Sequence, residues 1–178
     1  MQISEQKESR VARWRDFVAD RLGREPRGFC DVSAFNAQGE PAVIRVSSVV
    51  DGKPFPTLFW LIDADISLKI DRLEASGWIA RLQRDVDVSA TLQEQMELAH
   101  EAHKRLRETF LSEAERTLLT DRGMMSALSD RGIGGIKEPS RIRCLHTWYA
   151  AHMVEANCIG SAVDQLIASV EDFEWRLG

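Results

Sequence analysis

Pro41-Ala42-Val43-Ile44-Arg45-Val46-Ser47-Ser48-Val49-Val50-Asp51-Gly52-Lys53-Pro54-Phe55-Pro56-Thr57-Leu58-Phe59-Trp60-Leu61-Ile62 decides the fold class. Ile44, Val46 and Val50 alternate with Arg45, Ser47 and Val49, and a period of two predicts a strand over 41–50. Asp51-Gly52 then marks a hairpin turn, because Gly accepts positive φ without steric cost and Asp tolerates it. Pro54 and Pro56 donate no ladder hydrogen bonds and suit a strand entry, which leaves Thr57 to Ile62 as the next strand. Upstream, Phe29 to Phe35 is a shorter strand closed by the turn Asn36-Ala37-Gln38-Gly39. The span 29–62 therefore reads as a three-stranded antiparallel meander, and its apolar third strand calls for helices on at least one face.

On both sides the period changes to that of a helix. Val11, Trp14, Val18 and Leu22 share one face of a helix within residues 1–28, stopped by Gly23 and Pro26. Asp63 is a candidate cap for a helix carrying Ile66, Ile70 and Leu73, interrupted by Gly77 before Trp78, Ile79 and Leu82 resume the pattern. The stretch 86–110 reads as one long amphipathic helix with Leu92, Met96, Ala99, His103, Leu106 and Phe110 on a stripe. Ser112-Glu113-Ala114-Glu115 is a capping-box pattern. Residues 121–140 hold Gly123, Gly132, Gly134, Gly135 and Pro139 and form the least regular stretch; helix is expected again after Ser140, with a stop near 157–160. Ser161 is the expected cap of the last helix, on the stripe Val163, Leu166, Ile167, Val170 and Phe173. The expectation is α+β: one domain over 1–178, a small meander packed against a mainly helical part over 63–178.

Composition narrows the classes of function. The 178 residues are 44% hydrophobic and 29% charged, enough to bury roughly 70% of the unfolded surface without disulfides. A net charge of −5 disfavours binding to a nucleic-acid backbone. No apolar run is long enough for a membrane span, and the start lacks a signal-peptide pattern, so the expected location is the cytoplasm. Cys30, Cys144 and Cys158 are too few and too scattered for a disulfide framework. Trp14, Trp60, Trp78, Trp148 and Trp175 read mostly as core rather than as a base-stacking platform.

Two groups of residues are candidates for chemistry. Cys144, His146 and His152, with His100 and Cys30 as further donors, offer the thiolate and imidazole ligands that suit zinc or another divalent metal. On one continuous helix Cys144 and His146 would stand about 200° apart. A shared site therefore needs Cys144 to precede the helix. The competing readings are a buried Cys with hydrogen-bonded histidines, and a thiolate nucleophile activated by histidine. The spacing Glu97-x-x-His100 also occurs in di-metal carboxylate bundles, but only one copy is present here. The second group is Gly132, Gly134 and Gly135 followed by Lys137, Arg141 and Arg143, where converging amides and nearby cations would cradle an anion; a tightly packed loop is the alternative.

Asp51 to Leu61 with Arg72-Leu73-Glu74-Ala75-Ser76-Gly77, then Ala99-His100, then Gly132 to Lys137 with Arg141-Ile142-Arg143-Cys144-Leu145-His146 and Tyr149 to His152, resemble in order a bacterial family described as a domain of unknown function, number 501. The likeness spans about 29–160 and implies a shared fold and site without supplying a reaction. The family pattern carries a Cys-Pro-rich turn and a further histidine; here Asp31 follows Cys30 and Trp148 stands at the second position, which argues against four protein ligands on one metal.

The sequence expectation is a pocket between the meander and the Cys144 helix, closed by the glycine loop. It would take a small anionic ligand, phosphorylated ones included, as a hydrolase or transferase, with His146 and His152 binding metal or moving protons. The alternative is a non-enzymatic interaction or regulatory module with a protein partner. Convergence of His100, Cys144, His146 and Arg143 on one concave site separates the two.

Overall fold

Every residue of Pro41–Val46 is buried, so both faces of the central strand must be covered by other elements. The computed structural model describes residues 2–177, with side chains for 11–169. In chain order the elements are α1 (Gln2–Leu22), β1 (Phe29–Phe35), β2 (Pro41–Val46), β3 (Val49–Val50), β4 (Lys53–Pro54), β5 (Phe59–Leu61), α2 (Ala64–Ala75) and α3 (Trp78–Val88). They continue with α4 (Ala90–Phe110), α5 (Glu113–Asp121), α6 (Ser126–Ser129), a 3-10 turn at Ile133–Gly135, α7 (Leu145–His152) and α8 (Cys158–Leu177). The fold is α+β.

The sheet has the antiparallel order β1-β2-β5, with Ile44 facing Val32 on one side and Trp60 on the other. Alternation sends successive β2 side chains to opposite layers. Ile44 and Val46 join Val18, Phe29, Val32 and Ile62 beneath α1. Val43 joins Phe59, Ile70, Leu73, Met96, Leu145 and Trp148 in the larger core on the helical side. Burial of each such large apolar side chain stabilises the fold by roughly 1.5–3 kcal/mol.

Local chemistry explains most element ends. Asp51 (φ 51°) and Gly52 (φ 71°) both adopt left-handed conformations, as the tight β3-β4 hairpin requires. The Asp63 carboxylate accepts from the Ile66 amide at the start of α2. At Ser112 both halves of the capping box are present.

Several boundaries differ from the sequence expectation. The strand predicted over 41–50 breaks after Val46, because the Ser47 hydroxyl accepts from the Val49 amide, a local side-chain turn that competes with the ladder. The third strand shortens to Phe59–Leu61. The helix predicted over 86–110 is two helices, since Ser89 is extended and its hydroxyl caps α4 at Leu92. Helix resumes at Leu145, not directly after Ser140. Asn157, not Ser161, caps α8: its side-chain Oδ1 accepts from the Gly160 amide at 2.8 Å. Val163 is buried on the α8 stripe, whereas Val170, Phe173 and Trp175 lie outside the residues whose side chains are described. Among the described residues no helix is long and apolar enough to cross a membrane.

Candidate metal centre

Helix α7 is entered through Cys144, an extended residue (φ −156°, ψ 127°) at the cap position. This conformation meets the condition set by helical geometry: with Cys144 outside the helix, its thiol turns back toward His146 one step inside. Sγ of Cys144 lies 3.8 Å from Nδ1 of His146. Helix α2 completes the group. Ile70 and Leu73 anchor α2 in the core, and Glu74, the next residue along that face, reaches the N-terminus of α7. Its Oε1 accepts from the Leu145 amide at 2.6 Å and lies 3.3 Å from His146 Nδ1. One ligand atom each from Glu74, Cys144 and His146 fall within 4.8 Å of one another, and all three residues are half-buried.

The outer edge of His146 is also engaged. Its Nε2 lies 3.3 Å from Asp71 Oδ1, one turn before Glu74 on α2. Both ring nitrogens thus face acceptors, and the imidazole is pushed up to about 9, chiefly by its contact with Cys144 and further by the Glu74 charge. The ring is held among the Cys144 sulfur and two carboxylates, an arrangement that favours its protonated form.

The other predicted donors are elsewhere. His100, on α4, is buried; its Nδ1 accepts from the Ile133 amide at 2.9 Å and its Nε2 donates to Pro139 O at 3.1 Å. His152, at the end of α7, accepts from the Asn157 amide at Nδ1 (3.0 Å) and meets Asp164 Oδ2 at Nε2 (3.0 Å). Cys30 lies on β1, where its thiol contacts Gly28 O. Each of these two histidines is seated on a glycine. A Cβ at Gly132 would come within 2.1 Å of His100 Nδ1, and one at Gly160 within 2.1 Å of His152 Cγ. The rings are packed clasps between segments, with both nitrogens occupied, and so are not available as ligands beside Cys144.

The glycine loop is likewise a packed joint. The amides of Gly132, Gly135 and Ile136 bond to Ile136 O, Gly132 O and Ile133 O, and that of Ile133 bonds to His100. These four donors are therefore spent within the protein and not offered to an anion. A Cβ at Gly134 would meet the Thr147 hydroxyl at 2.6 Å. Lys137 and Arg141 are exposed and pair loosely with Asp130 and Glu138, while Arg143 is exposed. The anion expected at the following helix N-terminus is the protein's own Glu74.

Asp71 and Glu74 were not singled out by their sequence positions. The available signal was that Glu74 continues the line Ile66-Ile70 at a spacing of four, so that a carboxylate occupies a place on the apolar stripe of α2.

The sequence model of a family described as protein of unknown function (DUF501) matches residues 32–165, a span that contains Asp71, Glu74, Cys144 and His146. No curated protein and no solved structure matches the chain.

Proposed function

The chain belongs to the DUF501 family, whose description carries no activity, and from geometry we propose that it binds a zinc-class divalent metal through Glu74, Cys144 and His146. The observation that carries this reading is the spacing of the donors. Bond lengths of about 2.0–2.3 Å at tetrahedral angles separate neighbouring donors by roughly 3.4–3.6 Å. The Cys144–His146 and His146–Glu74 separations of 3.8 and 3.3 Å lie close to that range.

The second layer supports the same reading. A ligating histidine commonly donates its other ring N–H to a carboxylate, which orients the ring and makes it a better ligand. Asp71 stands in that position. The Leu145 amide fixes the Glu74 carboxylate in the same way. Three protein donors leave a fourth position for water or a substrate oxygen, the arrangement that supplies Lewis-acid chemistry to hydrolases and transferases. A reducing, cytoplasmic setting is part of the proposal, because Cys144 must stay a thiolate to ligate.

The test is metal content after purification and after chelation and zinc titration. Wild type is expected to hold about one zinc per chain at a three-ligand site of this kind. His146→Ala and Cys144→Ser are expected to fall to background. His100→Gln and His152→Gln should retain metal wherever they fold, because neither ring faces the centre. Zinc retention in the Cys144→Ser, His146→Ala double variant would overturn the assignment.

A further inference from the structure

Arg45 stands on β2, on the same side of the sheet as Val43, and is only 8% exposed. A buried guanidinium needs partners, since an uncompensated charge in the interior costs several kcal/mol. Among the described residues, however, it makes no hydrogen bond or ion pair. Its guanidinium stacks on the Phe110 ring, 4.2 Å from Cζ to the centroid. The Glu115 carboxylate feels the Arg45 charge but takes its hydrogen bonds from other groups: Oε2 accepts from the amide and hydroxyl of Ser112, and Oε1 from the Ser47 hydroxyl.

Arg45 opens into a cavity of about 320 Å³, also lined by Ser47, Ser48, Thr109, Phe110 and Glu115. The cavity lies between the sheet and the junction of α4 with α5. Ser48 is 5% exposed, and its buried hydroxyl has no hydrogen-bond partner. One buried, unpartnered hydroxyl and one largely buried guanidinium thus face a single space of small-metabolite size. A buried hydroxyl left unmatched in a native fold calls for a partner that is missing from the account.

We propose that this cavity is a binding site for a small organic monocarboxylate, held by the Arg45 guanidinium and the Ser48 hydroxyl. A guanidinium and a carboxylate match in planarity and hydrogen-bond geometry, and the pair is strongest out of water. Glu115, ionised at the rim, sets the charge. The cation and the acid together present no net charge, so a monoanion is accommodated more readily than a phosphate dianion. Phe110 covers one face of the guanidinium and gives the ligand's carbon skeleton an apolar wall. The site is separate from the Glu74–Cys144–His146 centre and does not depend on it.

The experiment is ligand-observed NMR with propionate as the probe, beside thermal unfolding in propionate, chloride or phosphate at one ionic strength. Saturable propionate binding and a propionate-specific rise in melting temperature are expected. Arg45→Met, close in volume and free of the buried charge, should fold and bind at least roughly tenfold more weakly. Ser48→Ala, which removes only the hydroxyl, should weaken binding with folding intact and keeps the test decisive if Arg45→Met fails to fold. Cys144→Ser should bind propionate as wild type does, and this separates the site from the metal reading. Absence of saturable binding, binding unchanged in the arginine or serine variant, or preference for phosphate would each overturn the assignment.

Discussion

The Leu145 amide donates a 2.6 Å hydrogen bond to Oε1 of Glu74, 71 positions earlier in the chain. This one contact docks α2 on the N-terminus of α7 and places a carboxylate beside the Cys144–His146 pair. The negative group meets the positive end of the helix dipole, and the same oxygen borders the imidazole.

The two carboxylates of α2 should be separable by substitution. Glu74→Gln removes a ligand while keeping an oxygen for the Leu145 amide, so the expected result is loss of zinc with a largely preserved melting temperature. Asp71→Asn keeps the ligands and weakens the orientation of His146; zinc affinity should fall roughly 10- to 100-fold. Competition titration against a chromophoric chelator measures both, and equal affinities for Asp71→Asn and wild type would remove Asp71 from the centre.

Acid sensitivity should arise from α4. Burial holds His100 down to about 4 and His103 to about 3, the latter helped by the Arg107 charge. Both rings are neutral when folded and titrate near 6.5 when unfolded. The unfolded chain therefore binds more protons below that pH, and stability falls as the pH drops from 6.5 toward 4. Each ring contributes a limiting slope of about 1.4 kcal/mol per pH unit. His103 Nε2 is buried without a partner, and its ring meets Phe59 edge-on. His103→Phe should accordingly match or exceed wild type at neutral pH and show a shallower acid limb in denaturant titrations. An unchanged limb would assign the sensitivity elsewhere.

Metal-free protein should show the opposite trend at alkaline pH. His146 is raised to about 9, so the stability from its imidazolium is fully present below 6.5 and disappears as the pH passes through about 9. The loss should be absent in His146→Ala, as followed by melting temperature between pH 7 and 10 in the presence of a chelator.

Glycines 132 and 39 make a controlled pair. Gly132 has ordinary negative φ (−91°), so its constraint is space: a Cβ would strike His100 at 2.1 Å. Gly39 has φ 78° with nothing within 4 Å of a Cβ, so its constraint is backbone strain alone. Gly39→Ala should cost about 1 kcal/mol. Gly132→Ala should cost more, about 2–4 kcal/mol, because the ring must move and abandon the Ile133 amide. Denaturant midpoints compare them directly; equal costs would show that the clasp yields easily.

What could be read in the sequence depended on how local its cause was. The Asp51-Gly52 hairpin, the Asp63 cap and the Ser112-Glu115 box each arise within four residues and were legible. So was the requirement that Cys144 precede the helix, which follows from 100° per residue alone. Ser89 and Asn157 escaped because a polar residue inside a helical pattern also fits a solvated face. Glu74 escaped because its partners lie on α7. His100 and His152 looked like ligands for a related reason: each is a good donor by type, and only tertiary packing shows that a glycine and a backbone amide already fill its surroundings. Arg45 was visible as the polar half of an alternating strand, but alternation cannot reveal that the polar half is buried too.

One guanidinium ties the irregular stretch after α5 to the sheet. Arg107, buried at the end of α4, donates to Pro56 O at 2.8 Å, to Leu128 O at 2.6 Å and also to Arg131 O. Three carbonyls from two segments distant in sequence therefore share a single cation. The segment carrying Leu128 and Arg131 is a single helical turn with its flanking bends, and with this anchor it should exchange its amides on the schedule of α4 and not on that of a surface loop. Its persistence is borrowed from a neighbouring helix, and truncating one side chain there would release both segments at once.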